Sequence, residues 1–277
     1  VLSFEMSSCV VCQGAGLLPG LRSCERLCPL CEGVAGWPEV LPNVLEMNRS
    51  GDVGEAIRNG VVFRQIRAMH DEDTVRVYQA YNDRIARAAC KANSFQGPLE
   101  DGIWSATRMT WIKPSAVWMA YRCGWTVMKD KNQSAVLALD LSKPRFLDLL
   151  KSAMLSHGEG AGATKGNPVV VQWDPERLMC LGAAVREKDA YTQGIQQMRS
   201  IQIGLRGRGS EMLLDPRFVR NITNVTEDFR RAHAALSAEP SDTTAAVAAL
   251  WPYRQEEPMI VPFEVRDILQ MDAPCRF

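Results

Sequence analysis

The sequence predicts an α+β domain, a mixed or antiparallel sheet with packed helices, preceded by a small N-terminal zinc ribbon. Three observations carry this expectation. Five of the nine cysteines crowd into residues 9–31. Beyond residue 61, segments of period-two alternation and short apolar runs mix with segments of helical period. These succeed one another without the regular strand–helix–strand rhythm of a doubly wound parallel sheet. The expected division is a zinc module over 1–36, a linker over 37–60 punctuated by Gly and Pro, and a main domain over 61–277.

The cysteine module comes first. Cys9-x2-Cys12 and Cys28-x2-Cys31 are separated by fifteen residues, inside the spacing of about 15–20 residues that zinc ribbons use. Each pair is followed two residues later by glycine, Gly14 and Gly33. Four thiolates around Zn²⁺ carry net negative charge, and backbone N–H groups in a tight turn offset it. Glycine takes the positive φ that such a turn needs. The expected ligands are therefore Cys9, Cys12, Cys28 and Cys31, with Cys24 left over. A closed four-sulfur site is structural rather than catalytic. So small a segment has almost no core, and metal binding would supply its folding energy, on the order of 10 kcal/mol. The repeated Cys-x2-Cys-x-Gly resembles the zinc knuckles of DnaJ-type chaperones over that stretch alone. Such a module offers a surface for nucleic acid or protein.

The elements of the main domain follow in order. Val61–Arg67 reads as extended, and Thr74–Tyr81 as a half-buried strand in which Val75 and Val77 alternate with Arg76 and Tyr78. Asn82 or Asp83 then caps a helix over 84–92. A second helix starts at Pro114-Ser115 and stops at Gly124. Ala135–Leu141 is a buried strand. Pro144–His157 is an amphipathic helix with Phe146, Leu149, Leu150, Ala153 and Met154 on one face. Residues 158–166 form a glycine-rich loop without the Gly-Lys-Ser/Thr of a phosphate loop. Val169–Trp173 is a strand ended by Asp174-Pro175, and Ser200–Leu205 is another. A strand over 217–223 leads into a helix from Thr226 to about Ala238, and Met259–Met271 packs back onto the body. Trp104, Trp111, Trp118 and Trp125 fall every seven residues, but Pro114 and Gly124 interrupt any common helix, so this spacing reads as coincidence.

Composition bounds the function. Of 277 residues, 46% are hydrophobic and 23% charged, and 32 Lys+Arg balance 32 Asp+Glu. This excludes a coiled coil, a collagen-like chain and a chain disordered throughout. It also argues against a globally basic nucleic-acid binder, while leaving room for a local basic face. No apolar run approaches the ~18–20 residues of a membrane span, and Val1–Ser8 lacks a signal-peptide pattern. Together with clustered rather than paired cysteines, this predicts a cytoplasmic or nuclear protein with no membrane partner.

Six motifs carry a family resemblance: Arg64-Gln-Ile-Arg67, Asp73–Asn82, Arg108–Ser115, Trp118–Trp125, Gln172–Arg177 and Arg199–Leu205. In this order they resemble domain-of-unknown-function family 4291 over about residues 61–271. The resemblance implies a domain and no reaction. Gly97–Ala106 and Arg206-Gly-Arg-Gly-Ser210 depart from the family pattern, and the zinc module is an addition to it.

The polar residues within these motifs are dominated by Arg and Lys beside aromatic rings, which suits a phosphate-bearing small molecule, a dinucleotide such as NAD, or RNA. No Ser-His-Asp, His-Glu-x2-His or Asp-x-Asp arrangement is present. Arg64, Tyr78, Tyr81, Arg108 and Lys113 are the expected ligand-binding set, converging with Arg67 on one concave site. The alternative is salt bridges to Asp73, Asp101 or Asp174. His157 is the expected acid/base. A Tyr-bearing strand followed directly by a helix, Val77–Ala86, also looks like part of the ADP-ribosyltransferase fold, where such a strand lines the NAD cleft. That likeness implies roles for Arg67 and for Gln202 or Glu211. The expected function is thus a nucleotide- or NAD-using transferase of this kind. The alternative is a non-enzymatic nucleic-acid or protein-binding module, which the zinc ribbon and Arg199, Arg206 and Arg208 favour. A deep cleft with converging polar groups separates the first from a flat basic face.

Overall fold

The computed structural model describes residues 64–129, 131–156, 166–179, 191–239, 242–252 and 255–271. The cysteine module, the linker and His157 lie outside the described residues. The described chain has α+β architecture: eight α-helices packed around three small sheets.

The first sheet is antiparallel, in the order β2-β4-β8, from β2 (Thr74–Tyr81), β4 (Ala135–Ser142) and β8 (Val219–Asn224). Strand β4 explains its own apolar run, because it is central and buried on both faces. Leu137, Leu139 and Leu141 face one core with Val75, Val77 and Ile222. Val136 and Ala138 face a second core with Tyr78. Each fully buried leucine contributes roughly 1.5–3 kcal/mol by leaving water. Farther along the second face, Arg76 and Asp140 stand directly opposite each other. Nε and Nη2 of Arg76 donate to the two carboxylate oxygens at 2.7 and 2.9 Å.

The first core is covered by α1 (Asp83–Ala92) and α4 (Lys143–Lys151). Helix α1 begins where the sequence expects, with Asn82 Oδ1 accepting from the Ile85 N–H at 2.9 Å. The second core is covered by α3 (Ala116–Cys123), α6 (Thr226–Ala238) and α7 (Thr244–Leu250). Ser115 caps α3 by accepting from the Trp118 N–H, and Gly124 ends it with a left-handed φ of 56°.

The second sheet runs β3-β7-β6-β5, from β3 (Thr110–Ile112), β7 (Thr192–Leu205), β6 (Val169–Met179) and β5 (Met154–Leu155). Two expectations are corrected here. Strand β6 does not stop at Asp174-Pro175 but runs on to Met179. It crosses the proline at a bulge between Pro175 and Glu176, a position where the missing N–H is tolerated. Helix α4 does not reach residue 157. It ends at Lys151, where Ser152 Oγ donates back to the Leu149 carbonyl at 2.8 Å. Met154 then pairs in parallel with Val170 on the sheet edge.

The two sheets meet at one point. Tyr78 of β2 and Lys113, just past β3, exchange both backbone hydrogen bonds, at 2.8 and 3.1 Å. A third, two-stranded sheet pairs β1 (Arg67–Ala68) with β9 (Glu257–Pro258), after which α8 (Phe263–Ile268) packs Val265 into the first core. The short α2 (Gln96–Glu100) and α5 (Arg208–Glu211) complete the helices. Among the described residues no helix is long and apolar enough to cross a membrane.

Candidate functional site: a cationic, aromatic cleft where two strands part

Beyond the Tyr78–Lys113 bridge, β2 and β3 no longer pair, and a cleft of about 680 Å³ opens between them. Side chains rather than backbone span its inner end. Gln79 Nε2 donates to Thr110 Oγ1 at 3.1 Å and to the Trp111 carbonyl at 3.4 Å. The Tyr81 hydroxyl bonds Thr110 Oγ1 and accepts from Trp104 Nε1 at 3.0 Å. The segment Gly97–Ala106 completes α2 (Gln96–Glu100) and then forms the wall carrying Trp104 and Ser105.

The floor and mouth differ in character. Lys113 is 1% exposed at the floor. Its Nζ donates to Asp174 Oδ2 at 3.1 Å and to the Ser200 carbonyl at 3.4 Å, and lies 3.7 Å from the centroid of the Trp118 ring. Burial pulls the Lys113 ammonium down to about 8, against the opposing pull of Asp174 and Glu176. Arg108 and Arg122, both exposed, stand at the mouth. Tyr81, Trp104, Trp111 and Trp118 supply four aromatic rings, and among the described residues no carboxylate belongs to the lining. In a chain of zero net charge, this concentrates three cations in one concavity, whose apolar walls strengthen their field.

Trp111 is held there by glycine. Gly204 of β7 stands directly opposite Trp111, and a Cβ at Gly204 would lie 2.9 Å from two atoms of the indole and 2.7 Å from Met109 Sδ. Gly204→Ala is therefore expected to push the indole out of place. The cost is about 1–3 kcal/mol of overpacking, read as a lower urea midpoint together with altered Trp fluorescence.

The structure divides the predicted site residues. Tyr81, Arg108, Lys113 and Gln202 line the cleft; Arg64, Arg67 and Tyr78 do not. The expectation that six of them converge on one site is thereby corrected. Tyr78 is buried in the second core, its ring edge-on to Phe229. Arg64 donates to the side-chain and backbone oxygens of Gln270. Arg67 is 5% exposed, and its Nε and Nη1 have no hydrogen-bond partner. Burial draws its guanidinium down to about 10, with Glu176 and Glu256 opposing.

Those two glutamates form a separate buried polar cluster at the start of α3. Glu176 Oε1 accepts from Ser115 Oγ at 3.3 Å. Glu256 Oε1 accepts from the Ala116 N–H at 2.7 Å and from Trp251 Nε1 at 3.2 Å. Burial pushes the Glu256 carboxyl up to about 8.

Sequence reasoning missed Gln79, Trp104, Trp111, Trp118 and Arg122 as lining residues. Three of the four evenly spaced tryptophans line one cleft, although a loop, a strand and a helix carry them. The fourth, Trp125, is buried in the second core. The available signal was the recurrence of Trp with Arg108, Lys113 and Arg122 over one short stretch.

A family model described as Domain of unknown function (DUF4291) matches residues 65–253. The chain belongs to the DUF4291 family. Every residue lining the cleft falls inside the matched segment, so the cleft belongs to the DUF4291 domain itself. Strand β9 and helix α8 lie beyond the match. A comparison with curated proteins finds no match.

Proposed function

We propose that the cleft binds a phosphate-bearing nucleotide, with dinucleotides such as NAD within its range, and that the protein is a nucleotide-using transferase. One observation carries the reading: three cations and four aromatic rings line a single cleft, with no carboxylate among the described residues of its lining. Phosphate oxygens match the cations, and a base matches the rings. The cleft volume, about 680 Å³, falls within the ordinary range for small-molecule sites. Enclosure favours this reading over the non-enzymatic nucleic-acid or protein-binding module, which a flat basic face would have favoured. Of the roles drawn from the ADP-ribosyltransferase likeness, Gln202 remains at the cleft, while Arg67 and Glu211 are not among its lining residues.

The test is calorimetric titration of the full chain with adenosine diphosphate, NAD and inorganic phosphate. The nucleotides are expected to bind, and Arg108→Ala to weaken them about tenfold or more, the effect of losing one charge-assisted hydrogen bond. The transferase part is assayed as release of nicotinamide from NAD. Nucleotide affinity unchanged by Arg108→Ala, or absent altogether, would remove the reading.

The reading includes one structural zinc per chain, held by Cys9, Cys12, Cys28 and Cys31. Its support is the paired spacing and trailing glycines. Elemental analysis of protein purified without chelator is expected to give one zinc per chain. Cys12→Ser is expected to lower that content sharply, and a metal-free native preparation would contradict the assignment.

A further inference from the structure

Gln202 lies on β7, two residues beyond Ser200, whose carbonyl accepts from Lys113. The β3–β7 register pairs Trp111 with Gly204 and Ile112 with Ile203. One step further it sets Lys113 opposite Gln202, so both side chains leave the same face of the sheet. On the other side of β7, Gln202 stands opposite Gln172 of β6. Gln172 is already committed, since its Nε2 donates to Asp174 Oδ1 at 2.9 Å. Lys113 is committed to Asp174 and the Ser200 carbonyl.

Gln202 differs from both neighbours. It is more than nine-tenths buried and lines the cleft. Yet among the described residues its amide engages no hydrogen-bond partner, and neither amide atom is among the buried side-chain atoms without a partner. A buried primary amide normally uses its donors and its acceptor. Here both ends are open to the cleft that Lys113 and three indoles also line.

We propose that Gln202 is a specificity residue that reads the base of the bound nucleotide through paired hydrogen bonds. Its Oε1 accepts from an N–H of the base and its Nε2 donates to an adjacent acceptor. The proposal rests on the nucleotide reading above. An amide pairs bidentately with a group presenting one donor and one acceptor side by side. The two bases of a dinucleotide such as NAD both do so: adenine through its amino group and ring nitrogen, and nicotinamide through its carboxamide. Phosphate presents acceptors only and goes to the cations.

The experiment compares matched ligands on the full chain by calorimetry. One arm sets adenosine diphosphate against purine riboside diphosphate, which lacks the amino group. The other sets nicotinamide mononucleotide against nicotinic acid mononucleotide, whose carboxylate presents acceptors only. In one arm the complete ligand is expected to bind at least about tenfold more tightly, as one well-made base-edge pair discriminates. The responding arm names the base. Gln202→Leu is expected to abolish the discrimination, so that the two ligands of that arm bind with equal affinity. The wild-type comparison stands even if this variant fails to fold. Measurable binding with both arms flat overturns the role of Gln202 while the nucleotide reading survives. Equal discrimination by a folded Gln202→Leu protein does the same. Binding of none of the four ligands overturns the nucleotide reading, and the inference falls with it.

Discussion

Lys113→Met is expected to lower nucleotide affinity by about a hundredfold and to destabilise the fold by roughly 3 kcal/mol, near the low end for breaking a buried ion pair. Both effects follow from one position. The ammonium is the cation at the floor of the cleft, and it is the partner of Asp174. Met preserves length and packing but removes the charge, leaving Asp174 with Gln172 as its one side-chain hydrogen-bond donor among the described residues. The double variant Lys113→Met/Asp174→Asn separates the roles. It is expected to recover most of the lost stability, because no carboxylate is left uncompensated, and none of the binding. Urea unfolding and calorimetry read the two quantities. A double variant that regained affinity would mean that Lys113 acts on the fold alone.

Glu256→Gln is expected to stabilise the protein at pH 8 while changing little at pH 5. The folded-state carboxyl sits at about 8, raised by burial above its ordinary value of 4.5. Between these values the unfolded chain releases its proton while the native state keeps it. Native stability therefore falls as pH rises from about 4.5 to about 8, by roughly 3–5 kcal/mol in total. Glutamine preserves the acceptor for the Ala116 N–H and Trp251 Nε1 and has no proton to lose. Lys113 works in the opposite sense, because its folded value is lowered from 10.5 to about 8. It adds stability as pH rises through that higher window, and His233, lowered by burial from its ordinary 6.5, does so as pH rises through a lower one, so Glu256 is read from the difference between variant and parent. Parallel pH–stability curves for the variant and the parent would refute this account.

The elements legible in the sequence were those whose ends and faces are both marked. Strand β2 alternates because one face meets the leucines of β4. Helix α3 is bounded by Pro114-Ser115 and Gly124. Less legible was any feature that depends on a distant neighbour. Pro175 reads as a strand end unless a bulge on β6 is known. Arg67 reads as a ligand-site cation three residues from Arg64, whereas the β1–β9 pairing buries it away from the cleft. The cleft itself arises where two strands stop pairing, which neither strand records alone. Its composition was still half visible, since Tyr81, Arg108, Lys113 and Gln202 were singled out by residue type and motif.

The pairing of β1 with β9 joins residues 67 and 258, and Arg64 reaches Gln270. The chain thus enters and leaves the described fold within one side chain's length. A segment grafted at either end is tethered at the same edge, at high local concentration relative to whatever the other end carries. Such a unit is also suited to insertion within another protein, because its host need not stretch to accommodate it. Expressing only the segment matched by the family model, 65–253, would forfeit this closure. It would strip Met259, Val261, Val265 and Leu269 from the core and remove Glu256 from the start of α3. A practical minimal domain accordingly runs to residue 271.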